Sequence, residues 1–205
     1  ALARIGGNTY MMDAARVMTA GAVDLGEKPS VASAIVKYHL TERGRQAISD
    51  AMDIHGGKGI CIGPRNYLGR TYQQIPVSIT VEGANILTRN MIIFGQGAIR
   101  CHPYLLKEVN ATHDNNPDRA SRAFDEALIG HAKFTLRNTA NSLIYALFGN
   151  YIKDIVPENS APETAVYYRQ LARFSASFAC IADIGLMRLG GSLKRRERLS
   201  ARLGD

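Results

Sequence analysis

The sequence predicts an all-α fold, a helical bundle followed by a second helical extension, and three observations predict it. Apolar residues recur three and four apart through the long segments. No stretch shows the apolar–polar alternation of a half-buried strand. Glycine, proline and Asn/Asp clusters stand between helical runs instead of cutting the chain at hairpin spacing.

The elements follow in order. Residues 2 to about 24 read as the first helix, stopped by Gly26 and Pro29. Ser30 is placed to cap a second helix reaching about Ile54. Its stripe runs through Val31, Ala34, Ile35 and Tyr38, then Ala47, Ile48, Ala51 and Met52. HGGKGICIGPRN holds four glycines and a proline, which predicts a loop. A helical turn around YLGRTYQQ leads to Pro76, and a further helix is predicted from Glu82 to about Arg100, its second half loosened by Gly95 and Gly97. Two long helices, about 118 to 148 and 162 to 189, are separated by GNYIKDIVPENSAP. In the later one Tyr167, Leu171, Phe174, Phe178 and Ile181 alternate steps of four and three, a seam for helix-on-helix packing. A basic helix, SLKRRERLSARL, closes the chain. The polar stretch NATHDNNPD, 110 to 118, is the clearest linker and sets the expected domains at 1–109 and 110–205. Both chain ends run in or just after helical rhythm and read as cuts inside a longer protein.

Composition narrows the function classes. The 205 residues are 46% hydrophobic and 21% charged, which excludes a largely disordered chain. A net charge of +7 admits nucleic acid, an anionic membrane surface, or an anionic substrate such as a CoA ester. Lys and Arg are scattered over every helix with no recognition helix, which argues against nucleic acid. Cys61, Cys101 and Cys180 form no CxxC pair, so neither a disulfide framework nor a zinc site is indicated and a reducing compartment is expected. The most apolar stretch, FSASFACIADIGLM, contains Asp183 and is too short to span a bilayer. A cytoplasmic protein is expected. Lys194, Arg195, Arg196, Arg198 and Arg202 leave peripheral contact at the inner membrane face open beside a plain solvated helix.

Two short stretches carry chemistry. In DAMDIHGGKGI the paired glycines are a helix C-cap on the plain reading. On the sharper one they bare the backbone to a ligand, with successive N–H groups forming a nest for a pyrophosphate. In VEGANILTRN a lone acid, Glu82, precedes a glycine and a helix. With Thr80 as N-cap it is a first-turn acid meeting the helix dipole. Among Val81, Ala84 and Ile86 it is a general base that gains strength when an oily substrate excludes water. His39, His55, His102, His113 and His131 show no metal-ligand spacing, and no metal is expected.

In that order, the two motifs closely resemble the C-terminal helical domain of the acyl-CoA dehydrogenases, over about residues 1 to 100. Residues from about 110 onward resemble the helical extension of the bacterial fatty-acid-degradation members. The resemblance implies FAD-dependent α,β-dehydrogenation of fatty acyl-CoA to trans-2-enoyl-CoA in β-oxidation. Glu82 would remove the α-proton, flavin N5 would take the β-hydride, and the Glu82 N–H with a ribityl hydroxyl would bind the thioester oxygen. Gly83 would border the substrate. Asp53, Ile54, His55, Gly56 and Gly57 would reach the FAD of the neighbouring subunit in a homodimer, and Ala84, Asn85 and Ile86 would lie beside the flavin of their own subunit. Electron-transfer flavoprotein or a similar acceptor is the implied partner. Asp53, Ala84 and Ile86 stand where the family often has glutamine, threonine and glutamine. The family's remaining domains and its arginine-containing flavin motif would lie before Ala1, so this chain by itself is expected to be inactive and to hold no tight flavin. A non-catalytic helical interaction or oligomerisation module, and within enzymes an acyl-CoA oxidase, stay open.

Overall fold

In the computed structural model, which describes residues 1–152 and 155–205, all regular structure is helical. Lys153 and Asp154, inside the predicted separator between the two long helices, lie outside the described residues. The chain forms two compact units, residues 1–97 with 197–205, and residues 98–196.

In the first unit, α1 (Leu2–Asp24) lies antiparallel on α2 (Ser30–His55), as the links Arg4–Asp50 and Asn8–Arg43 require. Ser30 does not cap α2. Pro29 holds that position, and its carbonyl accepts the Ser33 hydroxyl at 2.6 Å. The α1–α2 junction is polar. Asp50 is only 2% exposed and takes Arg4 Nε at 2.7 Å and the Gln46 amide at 3.0 Å. The hydrogen bond from Arg4 outweighs burial and holds the Asp50 carboxyl down at about 2.

That shift fixes a pH dependence. A carboxyl whose folded value lies below its ordinary 3.8 contributes stability that is present above 3.8 and lost as pH falls through about 2. Thermal melts taken down through this window are expected to drop more steeply for the wild type than for Asp50→Asn. Parallel curves would remove the pair from the account.

The predicted glycine loop contains a short helix, α3 (Gly57–Ile60), because Gly56 at φ 55° ends α2 and lets the chain start a new turn at once. Asn66 ties the rest together. Its amide donates to the carbonyls of Gly59 and Cys61 at 2.8 and 3.0 Å and accepts the N–H groups of Leu68 and Gly69, starting α4 (Gly69–Gln74). Pro76 opens α5 (Pro76–Thr80). The next helix begins at Asn85, not Glu82: α6 (Asn85–Leu87) passes into a π-helix (Thr88–Gln96) and then α7 (Gly97–Cys101). Ile93 and Phe94 of the π-helix are buried, and α11 (Glu197–Gly204) packs on it.

Gly95 and Gly97 tighten this region, contrary to the loosening expected of them. A Cβ on Gly95 would lie 3.2 Å from Ser200 Oγ, and one on Gly97 2.8 Å from Val31 Cγ1. Arg89 Nε reaches Asp205 at 2.6 Å beside the same contact.

The second unit is built on α9 (Pro117–Phe148), flanked by α8 (Leu105–Thr112) and α10 (Ala165–Leu189). Only the later part of the predicted linker is loop, since Asn110–Thr112 finish α8; Asn116 then caps α9, its side-chain oxygen accepting the N–H groups of Asp118 and Arg119 at 3.1 Å. The aromatic seam of α10 stays largely exposed: Tyr167, Leu171, Phe174, Phe178 and Ile181 each keep about half or more of their surface open. The inner face is small and polar instead. Ser142 meets Ser177 at 2.8 Å, Thr139 meets Cys180, and Thr135 donates to Asp183 at 2.6 Å. Small residues let the two helices approach, and their hydroxyls pair across the gap.

The stretch judged too short for a bilayer belongs to a longer helical run, Pro162–Arg195, whose most apolar window has mean hydropathy 1.2. By length and composition it could cross a membrane, yet its buried acid is satisfied by the rest of the bundle.

Candidate functional site

The site is built on the connection between α5 and α6. Thr80 ends α5 instead of capping the next helix, its hydroxyl turning back to the Val77 carbonyl at 3.0 Å. Val81 is extended, and then Glu82 takes φ 55° and Gly83 φ 88°. Glu82 is the one non-glycine residue with positive φ among those described. An L-residue there costs about 1–2 kcal/mol, so the surrounding structure has to hold it in place.

What holds it comes from α2. Lys37 Nζ donates to the Gly83 carbonyl at 2.7 Å and to Asn85 Oδ1 at 2.5 Å. The Asn85 amide then donates to Thr41 Oγ1 and Glu42 Oε1, both at 2.9 Å. Asn85 is 5% exposed with each of its hydrogen-bonding atoms engaged. The Glu82 side chain is exposed, and among the described residues neither its carboxylate nor its backbone N–H has a hydrogen-bond partner. Exposed Val81 and Ile86 give the acid an apolar rim. A cavity of about 370 Å³ is lined by residues on either side of the turn, Thr80, Ala84 and Ile86 among them, with Tyr38, Glu42 and Arg89; Glu82 itself is not part of its lining.

Asp53, Ile54, His55, Gly56 and Gly57 fall at the C-terminal end of α2, most of them exposed. A Cβ added at Gly56 or Gly57 would meet nothing within 4 Å, so the turn presents open backbone. The loop after it encloses about 550 Å³ between His55, Lys58, Arg65, Asn66 and Tyr67, with Tyr67 Oη 2.7 Å from His55 Nε2. Lys58 and Arg65 line this cavity with no acid beside them, which suits an anionic group, while Gly56 and Gly57 lie outside its lining.

Of the expected residues, Glu82, Gly83 and Ile86 share the exposed side of the α5–α6 connection, whereas Asn85 is buried with its side chain turned inward. Lys37 and Arg65 join the site without any signal along the chain that singles them out. Lys37 sits mid-helix, where a lysine is ordinarily a solvated side chain, and Arg65 lies in a loop read only for its glycines.

The second unit holds one cluster that the spacing along the chain concealed. Atoms of His102, His131 and Asp183 lie within 4.8 Å of one another. Both nitrogens of His102 and both oxygens of Asp183 are already engaged by protein. His102 Nδ1 accepts the N–H groups of Tyr104 and Leu105, which puts the ring proton on Nε2, 3.0 Å from Asp183 Oδ1. His131 Nδ1 lies 2.8 Å from Glu108 Oε1. Burial pushes His102 below the usual imidazole range, against the pull of Asp183. A cation at Nε2 would have to displace that proton, so the cluster fits a structural hydrogen-bond network better than a metal centre.

No solved structure gave a significant match to the chain. Two family models match it. Residues 2–95 match the acyl-CoA dehydrogenase C-terminal domain, and residues 99–205 match the bacterial-type acyl-CoA dehydrogenase C-terminal model. Together the two matches span nearly the whole chain, which belongs to the acyl-CoA dehydrogenase family.

Proposed function

We propose that this chain contributes the catalytic base and part of the flavin site to an FAD-dependent enzyme that converts fatty acyl-CoA to trans-2-enoyl-CoA in β-oxidation. The observation that carries the reading is the conformation of Glu82: an unpartnered acid in a left-handed turn, held from a neighbouring helix and rimmed by apolar side chains. Structures keep such strain where it serves a site.

The residues divide the work. The Glu82 carboxylate removes the α-proton of the thioester and becomes a carboxylic acid. Its free N–H stabilises negative charge on the thioester oxygen. Gly83 has no side chain to obstruct the substrate there. Gly56 and Gly57, with Asp53, Ile54 and His55 before them, take the anionic end of FAD from a neighbouring subunit of a homodimer, and Lys58 and Arg65 supply the countercharge. The backbone of Ala84, Asn85 and Ile86 lines the flavin of the same subunit. FAD supplies the hydride acceptor at its N5, and electron-transfer flavoprotein or a similar protein then takes the electrons. The reading includes a cytoplasmic protein that touches the inner membrane face peripherally through the basic run Lys194, Arg195, Arg196, Arg198 and Arg202.

The test uses the flavin-loaded enzyme that carries this chain. Anaerobic addition of a fatty acyl-CoA is expected to bleach the flavin and yield one trans-2-enoyl-CoA per flavin; in air, an artificial acceptor should be reduced with background peroxide only. An unbleached flavin would overturn the dehydrogenation. Stoichiometric peroxide would replace it by an oxidase.

A further inference from the structure

We infer that Lys37 is a positioning residue for the proton-abstracting acid, acting through the Gly83 carbonyl and the Asn85 side chain. The inference rests on the reading of Glu82 as the base and adds what sets its aim.

The argument starts from the cost of the turn. Residues 82 and 83 both have positive φ, and the helical bonds on either side stop short of them. Val81 N closes α5 on the Val77 carbonyl, and Thr88 N opens the next helix on the Ala84 carbonyl. Between these points one backbone group is tied down, the Gly83 carbonyl. It takes the Lys37 ammonium at 2.7 Å and, at 3.4 Å, the Thr88 hydroxyl. The ammonium is the stronger tie, because a charged donor at this distance makes a hydrogen bond roughly twice as strong as a neutral one.

Lys37 is itself held. Its second bond goes to Asn85 Oδ1, and the Asn85 amide is fixed by Thr41 and Glu42, one helical turn along α2. The Thr41 hydroxyl bonds back to the Lys37 carbonyl at 2.8 Å. The clamp is therefore a closed circuit from α2 to the turn, into the first residue of α6, and back to α2. The clamp fixes the peptide plane after Gly83 and so anchors the C-terminal end of the left-handed pair, which aims the Glu82 carboxylate and the N–H that would receive the thioester oxygen. An alkyl chain could fill the space of Lys37 but could not grip the carbonyl.

The experiment compares wild type with Lys37→Met in the flavin-loaded enzyme. The variant is expected to keep its flavin and its KM for acyl-CoA while kcat falls by about 10–100-fold, the scale of an ångström-sized misplacement of a reacting group. Hydrogen–deuterium exchange should show lost protection at the amides of Val81 and Thr88, which close the helices on either side of the turn, and not in the rest of α2, a pattern that a general loss of folding would not produce. Aminoethylation of Lys37→Cys, which rebuilds a lysine-like ammonium, should restore most of kcat, with wild type treated in parallel to account for the other cysteines. Asn85→Ala removes the relay but leaves the ammonium, and should give the same signature at smaller amplitude if Lys37→Met does not fold. A kcat within twofold of wild type in the folded variants, or unchanged exchange at Val81 and Thr88, would overturn the inference. Full turnover by Glu82→Gln would instead overturn the reading on which it rests, whatever Lys37 does.

Discussion

Replacing Glu82 by glutamine is expected to lower turnover of fatty acyl-CoA by at least roughly 10²–10⁴-fold, the contribution typical of a positioned general base. Acyl-CoA binding and flavin content should stay at wild-type level. Glutamine has nearly the same volume and can occupy the same left-handed turn, so the Lys37–Gly83 contact that holds the turn survives. What is lost is the ability to accept a proton. Glu82→Asp separates basicity from reach, since it keeps the carboxylate and withdraws it by one methylene. A loss of about 10²-fold is expected from that displacement. Binding and chemistry are told apart by measuring acyl-CoA dissociation directly and following flavin bleaching in a single turnover. Wild-type bleaching by the glutamine variant would remove Glu82 from the mechanism.

The largest loss of stability is expected at Asp183. Its side chain is 3% exposed and receives the Thr135 hydroxyl at 2.6 Å and His102 Nε2 at 3.0 Å, with His131 Nε2 a further 3.7 Å away. Asp183→Ala strands two buried donors and empties the acceptor that joins α9, α10 and the His102 turn. A cost of about 2–6 kcal/mol is expected, from two buried donors left without a partner at about 1–3 kcal/mol each. Asp183→Asn keeps an acceptor oxygen for one donor and should lose clearly less. Asp125, exposed on α9, supplies the control, where alanine should change stability by no more than about 0.5 kcal/mol. Urea denaturation followed by circular dichroism gives all three values, and equal costs at 183 and 125 would reduce the cluster to a coincidence of placement.

The helices were legible because their signals are local. Apolar spacing and breakers such as Gly26, Pro29 and Pro117 act within a few residues, and α1, α2 and α9 begin and end within a residue or two of where those signals put them. The two motifs were legible for the same reason. What stayed hidden depends on distant partners. The start of α6 at Asn85 is settled by bonds from Lys37, Thr41 and Glu42, more than forty positions earlier. The α10 seam misled because a four-and-three spacing marks a face without saying which face is turned inward. Thr135, Thr139 and Ser142 carry the same spacing on α9, and that polar row is the one that packs. His102, His131 and Asp183 meet only through tertiary folding.

The placement of α11 orders events during synthesis. Residues 1–97 leave the ribosome first, but the surface of the π-helix that accepts Ser200 and Gly204 waits until residues 98–196 have been translated. The newborn first unit therefore carries an open apolar flank beside Ile93 for that interval, where a chaperone could shelter it. A chain released before Glu197 would keep every residue of the α5–α6 turn yet lack the helix that backs the π-helix beyond it.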